Sequence, residues 1–343
     1  MLIIATVEKY LLTSEHLKKL VLAGADALRF NFSYRSLEEN LSYIEIAKQV
    51  TDELNASAIK TFIDFPLNKV RLGDFELKLF PVHEGDELIF KSENFSYDCK
   101  EYLPVDIKNL GTLLKIGQEI TIGDGEISLQ VIDIIDKDSV KMRIQNKGII
   151  QYMKTFNIPV EVDESKILDT YTNIIKKLDR VRCHYIALSY YNHELYQKIY
   201  NVIKKKNLDT KIVVKIEKEM TEAEITDLFQ NNNFDMILID QGELGVNMPY
   251  YKIGIYQKKI IGIAKKYKKM IIISTQILES TMSNYIPNRA EIISLTNNII
   301  DGVDGIMMCR ETAINPRAAY TLSVAKKIIN EVQNYKKEKS NII

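Results

Sequence analysis

Lys215, Glu217 and Glu243 lie in one stretch, KIVVKIEKEMTEAEITDLFQNNNFDMILIDQGELG at 211–245. Two apolar strand-like runs, Ile212–Ile216 and Met236–Asp240, flank a helical segment, and each run leads into an acidic residue ill suited to a core. Parallel strands joined by a helix put Glu217 and Glu243 at the same end of neighbouring strands. Two carboxylates so placed suit a divalent cation. Lys215 stands two residues before Glu217, hence on the same face of its strand. This group reads as a catalytic centre whose walls the rest of the chain supplies.

The elements that must position it follow a rhythm. Strands are expected at Ile3–Val7, Ala27–Phe32 and Ala58–Phe65, with helices from Ser14 (as N-cap) to a stop at Gly24 and over Ser36–Asn55. From about Leu67 to Pro159 no amphipathic helix stands out. Short alternating runs (DELIF, QEITI, EISLQVIDI, SVKMRIQ) between Gly and Asp turns predict a small all-β insertion. This divides the chain into 1–66, 67–159 and 160–343. The rhythm then resumes. Strands are expected at Tyr185–Tyr190, Lys211–Glu217, Asp235–Asp240, Met270–Thr275 and Gly305–Cys309. The helices between and after them are Ser165–Leu178, His193–Lys206, Thr221–Asn231, Ile253–Tyr267, Asn288–Ile300 and Pro316–Tyr335, with Pro316 at the first helical position.

Eight strands alternating with eight helices over about 250 residues predict an α/β fold, a (β/α)₈ TIM barrel with the insertion after strand three. An open doubly wound sheet would carry a glycine-rich turn after strand one, and Glu8–Thr13 has no glycine. Functional residues of barrels sit at the carboxyl ends of strands. That rule selects Arg29, Asn31, Ser33, Asp64, Lys215, Glu217, Gly242, Glu243, Thr275, Gln276 and Glu311.

The bulk properties narrow the function classes. Forty-six basic residues balance forty-six acidic ones, so whole-chain charge points to no nucleic acid. No apolar run nears the roughly 18–20 residues of a membrane span, and the start, MLIIATVEKY, reads as a first strand. Cys99, Cys183 and Cys309 are scattered, with no CxxC, which fits a reducing cytoplasm and no structural zinc. Cys309 reads as a small buried hydrophobe.

Several motifs in order resemble the pyruvate kinase family. They are LRFNFSY at 28–34, VKIEKE at 214–219, DQGELGVNMP at 240–249, ISTQILEST at 273–281, PNRAE at 287–291 and MMCRETA at 307–313. Within the insertion, IGDGEISLQV and GIIQYMKTFNIP resemble the family's mobile lid. The resemblance implies phosphoryl transfer between phosphoenolpyruvate or pyruvate and ADP or ATP, or a related acceptor. It implies that Arg29 and Lys215 flank the phosphoryl oxygens and that Glu217 and Glu243 hold Mg2+ or Mn2+. Amides near Gly242 would hold the substrate carboxylate if a helix begins there. Thr275 would assist protonation of the enolate carbon. Asn31, Arg71, Asp124 and Lys154 would serve the nucleotide. A homodimer through the barrel is implied in the same way. Plainer readings stand beside these: Arg29 as the partner of a later aspartate, Thr275 as a packing residue, and Asp124, in GDG, as a turn residue.

The departures shape the expectation. Family members continue into a further C-terminal domain, whereas this chain stops after helix eight, so no sugar-phosphate activation is expected. The family's third-strand motif, close to DTKGPEIR, is here DFPLNKVR at 64–71. Asn31, Ser33 and Asp64 match ligands of the family's monovalent-cation site. Lys69 falls where potassium-dependent members carry a glutamate, and its ammonium would replace potassium. Tyr34 and Glu8-Lys9-Tyr10 replace family residues, as do Cys309 and Arg310 before ETA. Gln241 stands for an arginine, Asp240 is an added acid, and Glu243 lengthens an aspartate. The pyruvate end is nearly complete and the nucleotide end eroded. Rival readings are metal-assisted enolate chemistry of an aldolase or lyase and a non-catalytic regulatory relative.

Overall fold

Eight short parallel strands close on one another: β1 (Leu2–Thr6), β2 (Ala27–Asn31), β3 (Lys60–Asp64), β4 (Tyr185–Leu188), β5 (Lys211–Ile216), β6 (Met236–Asp240), β7 (Met270–Ser274) and β8 (Gly305–Met308), with β1 paired to both β2 and β8. The computed structural model describes residues 1–8, 12–33, 35–56, 58–66, 69–158, 163–189, 191–230 and 233–340. Expected boundary or motif residues Lys9, Tyr10, Tyr34, Leu67, Pro159, Tyr190 and Asn231 lie outside the described residues. The predicted barrel is what the chain forms, each strand within a residue or two of its expected span.

The barrel strands read as nearly continuous Ile, Val, Leu and Met because both faces are buried. Alternate residues point inward. Ile4, Ala27, Phe62, Ala187, Val213, Leu238, Ile272 and Met307, one from each strand, pack into a single apolar cluster inside the barrel. The residues between them face the helices.

The amino-terminal rim carries a repeated latch. The residue just before each even-numbered strand accepts a backbone N–H from the strand before it: Asp26 Oδ2 from Ile3 (2.8 Å), His184 Nδ1 from Thr61 (3.0 Å), Asp235 Oδ2 from Ile212 (2.8 Å) and Asp304 Oδ2 from Ile271 (2.9 Å). Each satisfies a donor that would otherwise be stranded at the sheet end.

Eight main helices follow the strands, beginning with Ser14–Ala23 and Leu37–Glu53. The first is capped by Thr13, not Ser14: the Thr13 hydroxyl accepts the His16 N–H, and Gly24 ends the helix at φ 100° as expected. Ser36 and Glu39 form a full capping box on the second. Pro316 is not the first helical residue, since the last helix spans Ala318–Ser340. A short helix the sequence reading left conditional, Gln241–Asn247, begins directly after β6.

The chain divides into two compact units, Met1–Leu67 with Glu164–Ile343, and Asn68–Asp163. The second unit is built on a six-stranded sheet in the order Phe156–Asn157, Glu119–Ile122, Ile127–Ile134, Ser139–Ile144, Glu87–Ser92, Leu103–Val105. Leu72, Phe75, Phe90, Leu129, Met142 and Phe156 are among its own buried core. It is β-rich with one helical turn, Leu110–Leu113, where none was expected.

Candidate functional site

Two residues beyond the apolar ring, each strand contributes a second inward position: Thr6, Arg29, Asp64, Ser189, Lys215, Asp240, Ser274 and Cys309. The strand period of two thus stacks a polar ring on an apolar one at the carboxyl ends. Another step of two brings Asn31 and Glu217.

Lys215 is the hub of this ring. Its ammonium lies 2.8 Å from Glu217 Oε1, 3.5 Å from Asp64 Oδ1 and 3.7 Å from Asp240 Oδ2, and it donates to Ser189 Oγ at 3.2 Å. Ser189 Oγ in turn donates to Glu217 Oε1 (3.3 Å), and Asn247 Nδ2 holds the Glu217 backbone carbonyl (3.1 Å). Burial alone would depress the Lys215 ammonium, but Asp64, Glu217 and Asp240 raise it well above the usual lysine value. The side chain is 8% exposed and charged.

Arg29 pairs with Asp64 through Nε (3.0 Å) and Nη2 (2.6 Å), both to Oδ2, while Nη1 donates to Thr6 Oγ1 (2.9 Å). The reading of Arg29 as a partner of a later aspartate is therefore correct as far as it goes; the same guanidinium also belongs to the inward ring. Burial disfavours the charged form of Asp64, yet Lys215 and Arg29 hold its carboxyl below the ordinary range. Arg29 Nη1 also reaches the Cys309 sulfur at 3.9 Å. Burial pushes that thiol up to about 12, against the pull of Arg29. Cys309 is half-buried against the apolar ring and lines the polar one, so it is more than a core filler. Asn31 stands in register with Asp64, and its Oδ1 accepts the Ser33 N–H at 3.0 Å.

The segment after β7 is strained. Thr275 and Gln276 have φ of 77° and 57°, and Leu278 has φ 133°. A β-branched residue in the left-handed region costs of order 1–3 kcal/mol and persists only where neighbours over-determine it. The neighbours are present. Thr275 Oγ1 donates to Asp240 Oδ1 at 3.0 Å. Glu311, 1% exposed, accepts the N–H groups of Ile277 and Cys309, both at 2.7 Å. Burial raises the Glu311 carboxyl despite these two donors. Gly242 packs so closely that a Cβ there would meet Thr275 Cγ2 at 2.8 Å. Asp240 also caps the helix Gln241–Asn247, accepting the Glu243 N–H at 3.4 Å.

The donor set can be tested for a divalent cation. Among the described residues no three or more His, Cys, Asp or Glu side chains form a self-sufficient metal cage. Magnesium does not require one, since it is held by one or two carboxylates with substrate and water completing the shell. Glu217 and Glu243 stand at the ends of adjacent strands. Asp64, Glu217 and Asp240 surround Lys215, and Asp64 also pairs with Arg29, so three carboxylates meet two cations and leave an acidic surplus that suits a divalent ion. The residues fit such an ion.

The remaining expected residues lie in the inserted unit. Lys154 pairs with Glu126 Oε1 at 2.5 Å, and Arg71 Nη1 donates to the Met153 carbonyl at 3.0 Å. Asp124 sits in the turn between two hairpin strands, its N–H donating to Glu126 Oε2 at 3.1 Å, with flanking Gly123 and Gly125 at φ 67° and 92°. The turn reading of Asp124 is the observed one. Lys69 belongs to the same unit. Thr6, Ser189 and Ser274 were missed in the sequence. Counting two residues past the apolar position on every strand, including those without a charged end, would have found them.

Together these features define a (β/α)₈ barrel whose charged groups gather where barrel enzymes place their active sites. The model of the pyruvate kinase barrel domain matches residues 1–320. The chain belongs to the pyruvate kinase family. The pyruvate kinase of Thermococcus litoralis is 30% identical over 337 residues, covering 97% of this chain and 70% of that protein. That of Thermotoga maritima is 28% identical over 327 residues, covering 93% and 68%. In structure, the Cryptosporidium parvum pyruvate kinase in complex with ADP superimposes with a TM-score of 0.85 at 24% identity, over 96% of this chain and 67% of that one.

Proposed function

We propose that this chain transfers a phosphoryl group between phosphoenolpyruvate or pyruvate and ADP or ATP, or a related acceptor, with Mg2+ or Mn2+. The observation that carries this reading is Lys215, buried, charged and bonded to Glu217 at the mouth of the ring that also holds Arg29. Phosphoryl transfer asks mainly for positioned cations. Lys215 and Arg29 neutralise the phosphoryl oxygens, and Asp64 orients both. Glu217 and Glu243 hold the divalent ion, which when bound supplies Lewis-acid stabilisation of the enolate oxygen. Amides near Gly242, at the start of the helix Gln241–Asn247, hold the carboxylate of the three-carbon acid, and the Thr275 hydroxyl serves the methylene carbon. Family membership assigns nucleotide roles to Asn31 in the barrel unit and to Arg71, Asp124 and Lys154 in the inserted unit. Asn31, Ser33 and Asp64 form the monovalent-cation position, and Lys69 stands in the sequence where potassium-dependent members carry a glutamate.

Exposed Tyr250, Tyr251 and Ile255 offer apolar surface for a homodimer through the barrel. No described helix is long and apolar enough to cross a membrane, and the three cysteines are free, consistent with a cytoplasmic protein. The test is pyruvate release from phosphoenolpyruvate by the purified protein with magnesium, across a panel of nucleotides and small acceptors. Release that depends on no acceptor, or equal turnover in Lys215→Ala and Glu217→Ala variants, would overturn the assignment.

A further inference from the structure

Asp240 occupies a place in the ring that the roles above leave unused. Its carboxylate joins groups from three consecutive strands. Thr275, after β7, donates its hydroxyl at 3.0 Å; Glu243, after β6, donates its backbone N–H at 3.4 Å; Lys215, on β5, lies 3.7 Å away. Register explains the reach, since Asp240 pairs with Ser274, the residue before Thr275. Its side chain is 14% exposed, so it is a wall of the site and not a surface acid.

We propose that Asp240 is a positioning residue that aims Thr275 Oγ1 at the three-carbon substrate. This rests on the phosphotransferase reading. Thr275 is held at φ 77° by contacts of different kinds: Gly242 packs its methyl group, the Cys309 sulfur meets its backbone, Glu311 fixes the following backbone at Ile277, and Asp240 fixes its hydroxyl. Among the described residues, only the Asp240 bond sets the direction of the O–H. With its hydrogen committed to Asp240, Thr275 presents lone pairs to the substrate. It therefore meets the pyruvate methyl group as a hydrogen acceptor, its orientation set before the substrate arrives. Removing the carboxylate frees the hydroxyl to rotate without moving Lys215 or Arg29, whose bonds to Glu217 and Asp64 remain. Asp240 thus governs chemistry at the substrate carbon more than at the phosphorus.

The experiment follows two rates in one preparation of the full chain with magnesium. Exchange of pyruvate methyl protons with D2O is read by proton NMR, and phosphoryl transfer is read from phosphoenolpyruvate and the best nucleotide. In Asp240→Ala the ratio of exchange to transfer falls by about 10-fold or more. Asp240→Asn, which keeps an acceptor oxygen for Thr275 and for the helix cap, restores most of that ratio. In a Thr275→Ala background, Asp240→Ala produces no further fall, because the two residues act as one unit. An unchanged ratio in Asp240→Ala overturns the proposal, as does Asp240→Asn equal to Asp240→Ala. A wild-type protein that exchanges pyruvate protons but transfers phosphate to no acceptor overturns the phosphotransferase reading, and the exchange rates of the variants then decide Asp240 alone. A wild-type protein with neither rate overturns both.

Discussion

Lys215 and Glu217, two residues apart at the end of one strand, turn the same way and meet at 2.8 Å inside the barrel mouth. In the proposed function the pair joins the cation that meets the phosphoryl group to the carboxylate that meets the metal, so disturbing one disturbs both. Lys215→Ala should lower phosphoryl transfer about 10²–10³-fold or more. It should also cost roughly 3 kcal/mol of stability, because Glu217 and Asp64 lose a buried partner. Parallel activity assays and urea unfolding separate the two effects. A variant with full stability loss and wild-type kcat would remove Lys215 from the chemistry.

Gly242→Ala tests the packing against Thr275. The added Cβ would stand 2.8 Å from the Thr275 methyl group, which a strained β-branched residue has little room to withdraw. A displacement of about an ångström should lower kcat by up to about 100-fold, with a small change in KM for nucleotide. Steady-state kinetics beside a thermal unfolding curve within a few degrees of wild type checks this.

Glu311→Gln sets an amide –NH2 against one of two N–H donors, those of Ile277 and Cys309, each now at 2.7 Å. The unsatisfied contact should cost about 1–3 kcal/mol. Loosening of the Thr275 segment should appear as a lower kcat. Hydrogen exchange at Ile277, faster in the variant, is the direct readout.

His184 differs from the three aspartates that share its role as a latch. It accepts the Thr61 N–H through Nδ1, which requires that nitrogen to be unprotonated. Burial lowers its imidazolium stability in the fold, with Arg182 and Lys60 acting the same way and Asp209 opposing. The unfolded chain therefore binds the proton more readily. The latch's contribution is full above the ordinary histidine value of about 6.5 and is lost as pH falls below it. Urea midpoints should drop between pH 7.5 and pH 5, and His184→Asp, which keeps an acceptor, should flatten that slope. An unaltered slope would assign the acid sensitivity elsewhere.

Chelation by EDTA should abolish turnover, and Mg2+ or Mn2+ should restore it. Replacing potassium by sodium should leave the rate unchanged if the Lys69 ammonium supplies the monovalent charge. A steep potassium requirement would return that role to a bound ion.

The barrel was legible because its strands are buried on both faces and its helices are amphipathic, so two periods alternate along the chain. Arg29, Lys215 and Glu217 were legible because charge at the end of an apolar strand is conspicuous. Thr6, Ser189 and Ser274 were not: small neutral residues leave no mark in a hydropathy pattern. Nor was the bond from Thr275 to Asp240, because a β-branched residue at positive φ runs against local preference and is fixed only by tertiary contacts. Thr13 and Ser14 are both good caps, and backbone geometry alone chose between them. The one-turn helix at Leu110–Leu113 is too short to carry a period.

The four rim latches bear on the order in which the chain folds. Three of them span 23, 23 and 33 residues, whereas the His184 latch spans 123, because the inserted unit interrupts its strand pair. Closing the longer loop costs about 1.5 kcal/mol more than closing a 23-residue one. Among the four latched strand pairs, β3–β4 should therefore close last. In a pulse-labelling refolding experiment Thr61 should gain protection after Ile3, Ile212 and Ile271, and should gain it earlier in a chain whose insertion is replaced by a short turn.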